Sequence, residues 1–397
     1  MAGNVASQIA AITSMNLRNI RERTTASVVA LVSIAGVVMV LIGVLSIAAG
    51  FRAVLDQSGQ EDVAIVLRDG ATDEMGSSLL NAQARIIADA KETARDADGP
   101  IVSPELYVVV DVPLIRTGTA ANVPLRGVGA QAPKLRKNFR IAEGRHFTPG
   151  TFEVIVGRGA TEQFAGLTVG NRVRWGTTEW NVVGIFEDGG SVAESEVWTD
   201  ASVLQGVYNR GNSYQSMRVR LTSADAARTF EDTITTDPRL NVRMFTEKEY
   251  FERQSQILQT LVRTIGVTIA VLMGLGAIFA ALNTMYSAVS ARTREIATLR
   301  ALGFGSSPVV VSVLAEALLL GIVGGAIGML ISYFGFNGLR ASTMNFATFS
   351  QITFAFTVTP QILVTGLIYA LALAFIGGLL PSVRAARLPI TTGLREL

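Results

Sequence analysis

Few residues of this chain have types and spacings suited to catalysis. The four lysines are Lys91, Lys134, Lys137 and Lys248, and none follows a glycine. A P-loop needs the sequence Gly-Lys-Ser/Thr to hold phosphates, so the sequence excludes a P-loop ATPase. The single histidine, His146, cannot build a His-rich metal site and has no nucleophile elbow beside it, so we expect a structural or surface role. The chain has no cysteine, which excludes disulfides and thiolate chemistry.

Two groups of charged residues are the remaining candidates for a binding site. The acidic group could hold a cation weakly, but it is more typical of a solvated turn. The basic group could suggest nucleic acid, but outside a membrane a solvated face or a lipid-headgroup contact is expected, and the net charge of +2 indicates no nucleic-acid partner. The two groups are Glu187, Asp188, Glu194 and Glu196, and Lys134, Arg136, Lys137 and Arg140.

Four long apolar blocks must position whatever site exists. With 49% hydrophobic and 17% charged residues, the composition indicates a membrane protein. Because about 20 apolar residues cross the hydrocarbon core as a helix, the blocks predict spans at residues 25–50, 264–291, 307–339 and 359–383. Ser307-Pro308 and Thr359-Pro360 predict the starts of the last two spans, and Pro381 predicts a break in the fourth.

Arginines flanking the spans predict their orientation. Three flanks carry three arginines each and the loop 340–358 carries one. The positive-inside rule therefore places the amphipathic segment 1–24, the loop 292–306 and the tail 384–397 in the cytoplasm. The residues are Arg18, Arg21 and Arg23, then Arg292, Arg294 and Arg300, then Arg384, Arg387 and Arg395, against Arg340 alone.

The segment between the first two spans predicts an extracytoplasmic α+β domain. A strand at 62–68, a helix at 75–97 and a strand at 105–114 form a strand–helix–strand unit. Residues 115–207 are rich in short strands, with examples at 152–156, 172–175, 179–186 and 196–199. The first pattern returns at 208–246, with a strand at 217–221, a helix at 223–233 and a strand at 242–245. We therefore expect an α/β lobe, at 51–114 and 208–246, interrupted by a β-rich lobe.

The residues before the second span predict a long helix. Thr246 and Glu249 have the spacing of a capping box, and no proline or glycine follows until Gly266. A helix from Glu247 to Ala291 is about 67 Å long, twice the hydrocarbon thickness, so residues 247–263 are expected to stand outside as a stalk. A kink or loop near 254–259 is the alternative.

Four segments together resemble a known family. They read ARTREIATLRALGF at 291–304, VLAEALLLG at 313–321, PSVRAARLP at 381–389 and MNLRNIR at 15–21. The whole chain resembles the permeases of the MacB/FtsX/LolC superfamily, the type VII ABC transporters. The resemblance implies four transmembrane helices and a periplasmic domain in which a porter lobe is split by a β-rich Sabre lobe.

The resemblance also makes the loop 292–306 a coupling helix that docks on an ATPase. The residues offered for docking are Arg292, Arg294, Glu295, Ile296, Leu299, Arg300, Leu302 and Gly303. Spacing alone places Ile296, Leu299 and Leu302 on one apolar face and makes Gly303 a left-handed C-cap. An amphipathic helix lying on lipid headgroups fits that spacing equally well.

Polar and small residues within the third span suggest further roles. Glu316 is costly in lipid, so either it has a function or it is satisfied near the interface. Gly321, Gly324, Gly325 and Gly328 form overlapping G-x-x-x-G pairs, which suit close helix packing within the subunit or at a dimer seam.

By resemblance, the chain is expected to be a non-enzymatic permease subunit in the bacterial inner membrane. Two copies of a separate ATPase subunit would bind ATP and Mg²⁺, and no cofactor is expected in this chain. A second permease, identical or paralogous, is implied, and a periplasmic adaptor and outer-membrane channel are further candidate partners. The expected function is mechanotransmission that exports or extracts a periplasmic substrate. FtsX-like activation of a cell-wall hydrolase and LolC-like lipoprotein release are the alternatives.

Overall fold

The computed structural model describes Gln8, residues 24–345 and residues 350–389, and it divides into two units. The membrane unit contains the described residues up to 49, residues 259–339 and residues from 356 onward. The inserted domain contains residues 50–258 and the described residues of 340–355. Most of the predicted segment 1–24 and the end of the tail 384–397 lie outside the described residues.

The elements follow one another as nine helices and sixteen strands in the part of the chain that the structure describes from residue 24 onward. The helices are α1 (Thr24–Ser58), α2 (Asn81–Ala88), α3 (Arg158–Gln163), α4 (Ala201–Val207), α5 (Ala226–Thr236), α6 (Glu247–Ala291), α7 (Thr293–Ala301), α8 (Ser306–Phe336) and α9 (Pro360–Arg387). The strands are β1 (Val63–Arg68), β2 (Leu79–Leu80), β3 (Arg95–Asp96), β4 (Gly99–Pro100), β5 (Val102–Pro113), β6 (Ala120–Val128), β7 (Arg140–Gly144), β8 (Glu153–Gly157), β9 (Arg172–Trp175), β10 (Thr178–Glu187), β11 (Val197–Asp200), β12 (Ser213–Tyr214), β13 (Ser216–Arg220), β14 (Val242–Thr246), β15 (Arg340–Asn345) and β16 (Ser350–Ala355). Short 3-10 turns cover Ala132–Leu135 and Val192–Ser195.

Four helices are long and apolar enough to cross a membrane, counted over the described residues. These spans are Ser27–Ser58, Thr264–Ala291, Ser306–Phe336 and Pro360–Arg387. They confirm the predicted number of spans. The second span is the end of α6, which runs as one helix of 45 residues, so the alternative break near 254–259 is not found.

Of three features at the helix ends, one agrees with its prediction and two differ from it. Thr359 caps α9 as predicted, because its side chain accepts the amide hydrogen of Ile362. The cap of α8 is Gly305 and not Ser307, which puts Pro308 in the third helical position. The N–H groups in the first turn of a helix have no intrahelical acceptor, so proline is tolerated at any position in that turn. A proline therefore does not identify the first residue of the helix. Pro381 was wrongly predicted to break the fourth span, because α9 continues through it to Arg387 and packing in a membrane bundle tolerates one lost hydrogen bond.

The inserted domain is built on one mixed sheet. Its strands are ordered β14-β1-β13-β5-β6-β11-β8-β10-β7, and β9 adds to β10. The start of β5 pairs with β13, from Val102 to Glu105, and the rest pairs with β6, from Leu106 to Pro113. The predicted lobe boundary at 114/115 is therefore wrong, because a single strand belongs to both lobes.

Each lobe has its own apolar core. In the α/β lobe, α2 and α5 cover the sheet, and Leu79, Ile87 and Phe230 are fully buried between them. In the β-rich lobe, a larger cluster surrounds Trp180 and Leu125. Because β5 pairs with strands of both lobes, one continuous sheet runs from one core to the other.

Most predicted strands of this domain are found within three residues of their expected ends, whereas the predicted helix 75–97 is largely wrong. Only α2 is helical there, and it buries Ala84 and Ile87 while Ala82 is exposed. The preceding residues, Leu79 and Leu80, form β2 instead and pair with Ser213–Tyr214, so their backbone groups are bonded outside any helix. Strands β6 and β7 were not predicted, and the predicted loop 340–358 contains the hairpin β15–β16.

Candidate functional site

The short helix α7 is anchored to the spans along one face. Ile296 is buried in a cluster with Val289, Val309, Val313 and Ala385. Arg292, just before α7, is 4% exposed, and its Nη1 atom donates to Oε2 of the buried Glu316 at 3.1 Å. The helix is therefore packed against residues of α6, α8 and α9.

The opposite face of α7 is exposed. Arg294, Glu295 and Leu302 lie on the surface, and the Leu302 residue is 73% exposed. The helix ends at Gly303, whose φ of 96° is left-handed, and the amides of Gly303 and Phe304 donate to the carbonyls of Arg300 and Leu299. This Schellman motif ends the helix and places Leu302 at the C-terminal end of α7.

The predicted docking residues are thus divided between two faces. Arg292 and Ile296 are corrected from docking contacts to anchors, because their side chains are buried against the spans. Arg300 Nη1 donates to the carbonyl of Leu388 at 2.5 Å, so it ties α7 to the end of α9. Arg294, Glu295 and Leu302 remain available to a partner, and Leu299 is partly buried.

Glu316 has a partner that the sequence analysis did not assign. The sequence predicts separate roles for the two residues, an intramembrane acid at Glu316 and a docking residue at Arg292. The pair could have been predicted from the chemistry of the two residues. An acid placed in lipid needs a nearby cation, and Arg292 is the first arginine after the second span.

The four glycines of the third span pack against two neighbouring helices of the same subunit. A Cβ on Gly321 would lie 2.6 Å from the Cβ of Ala374 in α9, and a Cβ on Gly325 would lie 2.9 Å from the Cβ of Ala370 in the same helix. A Cβ on Gly324 or Gly328 would meet α1, at Ile34 and at the carbonyl oxygen of Ala35. Packing within the subunit therefore accounts for both G-x-x-x-G pairs.

A second candidate site is a set of seven buried charged residues in the inserted domain, which we name the junction cluster. It contains Arg126, Arg136, Arg218, Glu74, Glu105, Glu196 and Glu247. At its centre, Arg126 uses all five of its N–H hydrogens at 2.7–2.9 Å: two bonds to Glu74, two to Glu196 and one to Glu105. This arrangement connects the two lobes through fixed charge-assisted hydrogen bonds.

The cluster corrects the prediction made for the acidic group of the sequence, and it corrects the prediction for one of the four basic residues, the other three being exposed as expected. Glu196 and Asp188 are buried and hydrogen-bonded, so the acidic group is not a solvated turn. Arg136 is also buried, contacting Glu247 and stacking over Trp198, and so does not belong to a solvated face. Among the described residues, no group of three or more His, Cys, Asp or Glu side chains is placed to hold a metal ion.

The carboxyls of the cluster experience opposite electrostatic effects. Burial acts to raise the pKa of Glu74, but the charges of Arg126 and Arg218 outweigh it and hold the pKa below its ordinary value. Burial dominates at Glu247, whose pKa is raised despite Arg136 and Arg218, because Glu105 and Asp188 add repulsion.

Three segments of the inserted domain that lead toward the spans reach the neighbourhood of this cluster. The end of α1 contributes Ser58, whose Oγ accepts the amide of Val192 at 2.7 Å. Strand β16 contributes Thr353, whose amide donates to Ser195 Oγ at 3.0 Å. Helix α6 begins inside the cluster with Glu247. The 3-10 turn Val192–Ser195 is therefore held from both ends, immediately before Glu196.

Comparison with known proteins agrees with this architecture. Residues 27–237 match the family described as MacB-like periplasmic core domain, and residues 267–390 match FtsX-like permease C-terminal. The macrolide export ATP-binding/permease protein MacB of Bordetella avium is 26% identical over 414 residues, covering 97% of this chain and 59% of that protein. MacB of Hahella chejuensis is 28% identical over 302 residues, covering 70% of this chain and 44% of that protein. The solved periplasmic region of MacB from Actinobacillus actinomycetemcomitans is similar with 14% identity and a TM-score of 0.36, over 52% of this chain and 95% of that one.

The two family matches define a membrane permease with a large periplasmic-type domain. The chain belongs to the MacB/FtsX-type permease family. It spans about half the length of the MacB proteins that it matches.

Proposed function

We propose that this chain is the permease subunit of an ATP-driven ABC transporter of the bacterial inner membrane that works by mechanotransmission. A separate ATPase would move α7, and the inserted domain would respond by exporting or extracting a substrate outside the membrane. One observation carries the proposal: α7 is anchored to three spans on one face and exposes Arg294, Glu295 and Leu302 on the other.

The exposed face has the chemistry of a docking surface. Burying a leucine side chain contributes about 1.5–3 kcal/mol, so the exposed Leu302 is suited to fill a pocket on a partner. Arg294 and Glu295 beside it offer both signs of charge, which favours one orientation of the partner. A push on this face would reach the spans through Ile296 and the pair Arg292–Glu316.

The long helix α6 supports transmission of that push. It is continuous from Glu247, in the junction cluster, to Ala291, next to Arg292. A helix without a break is a stiff connector, and both of its ends are attached through buried contacts between arginine and glutamate side chains.

The partners follow from the proposed mechanism. Two ATPase subunits would bind ATP and Mg²⁺, and a second permease, identical or paralogous, would complete the transporter. The match to the MacB-like periplasmic core domain favours export over the FtsX-like and LolC-like alternatives, with an adaptor and an outer-membrane channel as further partners.

Docking is tested by replacing Arg294, Glu295 and Leu302 together with alanine. In the purified complex we expect the ATPase subunit to bind the permease roughly tenfold more weakly or worse, with loss of permease-stimulated ATP hydrolysis. The matched control is Glu249→Ala with Arg253→Ala, which removes an exposed ion pair from α6 within the inserted domain. Unchanged binding and hydrolysis in the α7 variant would remove the proposal.

A further inference from the structure

The junction cluster has more buried acids than buried bases. Four glutamates face three arginines, and all seven side chains are buried. Asp188, also buried, adds a further carboxyl close to Glu247. An uncompensated buried charge is strongly unfavourable, so a bound cation or a proton is expected to reduce this excess of negative charge.

Hydrogen-bond lengths identify the carboxyl that is held least firmly. Glu74, Glu105 and Glu196 accept bonds from arginine at 2.7–2.9 Å. Glu247 receives only longer contacts, at 3.2 Å from Arg136 and 3.3 Å from Arg218, both to Oε1. Its Oε2 atom accepts from the side-chain nitrogen Nε2 of Gln60 at 3.4 Å. Glu247 is therefore the carboxyl whose charge the cluster compensates least.

The space beside Glu247 suits a proton better than a metal ion. A cavity of about 30 Å³ lies among Glu247, Tyr250, Asp188 and Arg136, which is room for a water molecule. The buried hydroxyl of Tyr250 has no hydrogen-bond partner among the described residues and lies at this cavity. The described residues offer no set of ligands for a metal ion.

We propose that Glu247 is a proton-binding site. Its carboxyl is protonated when the start of α6 is seated in the junction cluster, and it loses the proton as the pH rises. The groups around it are known from each neighbouring element. Glu105 faces it from β5, Arg218 from β13, Arg136 from the segment after the first 3-10 turn, and Asp188 from the position just after β10. On its own helix, Lys248 points away to the exposed Glu61.

Loss of the proton has a defined structural consequence. The new charge on Glu247 is unfavourable because it is buried, and repulsion from Glu105 and Asp188 offsets part of the attraction from the neighbouring arginines, so the hold of the cluster on the start of α6 weakens. Burial raises the pKa of Glu247 above its unfolded-state value. The stability that protonated Glu247 contributes to the folded domain is therefore complete below the unfolded-state pKa, and it is lost as the pH rises through the folded-state pKa.

The test measures thermal unfolding of the full chain in detergent, without any ATPase, as the pH is raised from about 5 to about 8. All three tryptophans lie in the inserted domain, so their fluorescence reports its unfolding. We expect Glu247→Gln to match the wild-type Tm at low pH and to exceed it by about 2–4 °C at high pH. The matched control, Glu105→Gln, removes a carboxyl held by two arginines and should lower the Tm at every pH.

Two further measurements keep the inference falsifiable if Glu247→Gln folds poorly. The infrared carbonyl band of a protonated carboxyl should be present in the wild-type chain at low pH and disappear as the pH rises, together with the fall in Tm. Replacing sodium and potassium by choline at constant ionic strength should leave the Tm unchanged. Loss of stability in choline, a missing carbonyl band, or a folded Glu247→Gln variant whose Tm does not exceed that of the wild type at high pH would overturn the proposal.

Discussion

Arg292 and Glu316, which are 24 residues apart, form a buried ion pair with 3.1 Å between Nη1 and Oε2. Arg292 stands between α6 and α7, and Glu316 lies within α8. The pair therefore fixes the helix that we propose as the docking site to the third span. It also explains how an acid is accommodated in an otherwise apolar helix, because its charge is compensated inside the bundle.

Removing one member of this pair should destabilise the protein more than removing both. Glu316→Met or Arg292→Met alone leaves an uncompensated buried charge and should cost about 3–5 kcal/mol. The double variant removes both charges and should recover most of that loss. The measurement is a double-mutant cycle on the midpoint of thermal unfolding of the purified full chain, and additive losses would show that the contact does not couple the two residues.

Packing of the third span on the first should depend on Gly328. A Cβ there would lie 2.7 Å from the carbonyl oxygen of Ala35, which is backbone and cannot turn aside. We expect Gly328→Ala to lower the stability of the bundle by about 1–3 kcal/mol, as overpacking does. Gly335 lies in the same helix with no atom within 4 Å of its ideal Cβ, so Gly335→Ala is the control and should be neutral or slightly stabilising. Equal effects of the two substitutions on thermal stability would contradict the packing assigned here.

The spans and most strands could be predicted because their patterns leave few alternatives. A backbone that crosses lipid must pair its own N–H and C=O groups, and a single helix of about 20 apolar residues does so within one segment, so apolar length alone identified the four spans. The strand predictions rested on short β-branched runs, and β8 through β11 are found close to the predicted positions. The long helix α6 followed from the absence of glycine and proline before Gly266.

The junction cluster could not be predicted because it depends on contacts between distant residues. Arg126 lies 52 residues from Glu74 and 70 from Glu196, and nothing local distinguishes it from a surface arginine. Strand β6, which carries Arg126, includes Pro124 and Gly127, which weakened its local pattern. The exposed and buried faces of α7 were confused for a similar reason: Ile296 and Leu302 share an apolar character, and only packing against the spans separates them.

Acid should weaken the inserted domain through Glu74. Arg126 and Arg218 hold the pKa of Glu74 below its ordinary value of 4.5, so its contribution to stability is present above the unfolded-state pKa and is lost as the pH falls through the folded-state pKa. At neutral pH, Glu74→Gln should lower the free energy of unfolding by about 1–3 kcal/mol, because charge-assisted bonds to Arg126 are lost. The difference from the wild type, followed by tryptophan fluorescence in denaturant, should shrink below about pH 4. A difference that stays constant on acidification would mean that Glu74 does not titrate with folding.

The hairpin β15–β16 should move together with the inserted domain. Thr353 bonds to Ser195 and, through Oγ1, to Gln163 at 2.7 Å, while the Phe354 and Phe51 rings meet edge to face at 5.9 Å between centroids. Arg340 adds an ion pair to Glu162. These contacts assign the hairpin to the same compact unit as the β-rich lobe.

A cross-link across this contact tests whether the hairpin and the lobe act as one body. The chain has no cysteine, so Ser195→Cys with Thr353→Cys offers a single possible disulfide within the chain, closing a loop of 158 residues. We expect oxidation to stabilise the inserted domain by about 2–5 kcal/mol, because it restricts the unfolded chain. ATP hydrolysis by the assembled complex should be retained, because no relative motion of the joined parts is required. The two single-cysteine variants are the controls, and a loss of hydrolysis that a reductant reverses would show that the hairpin must separate from the lobe during each cycle.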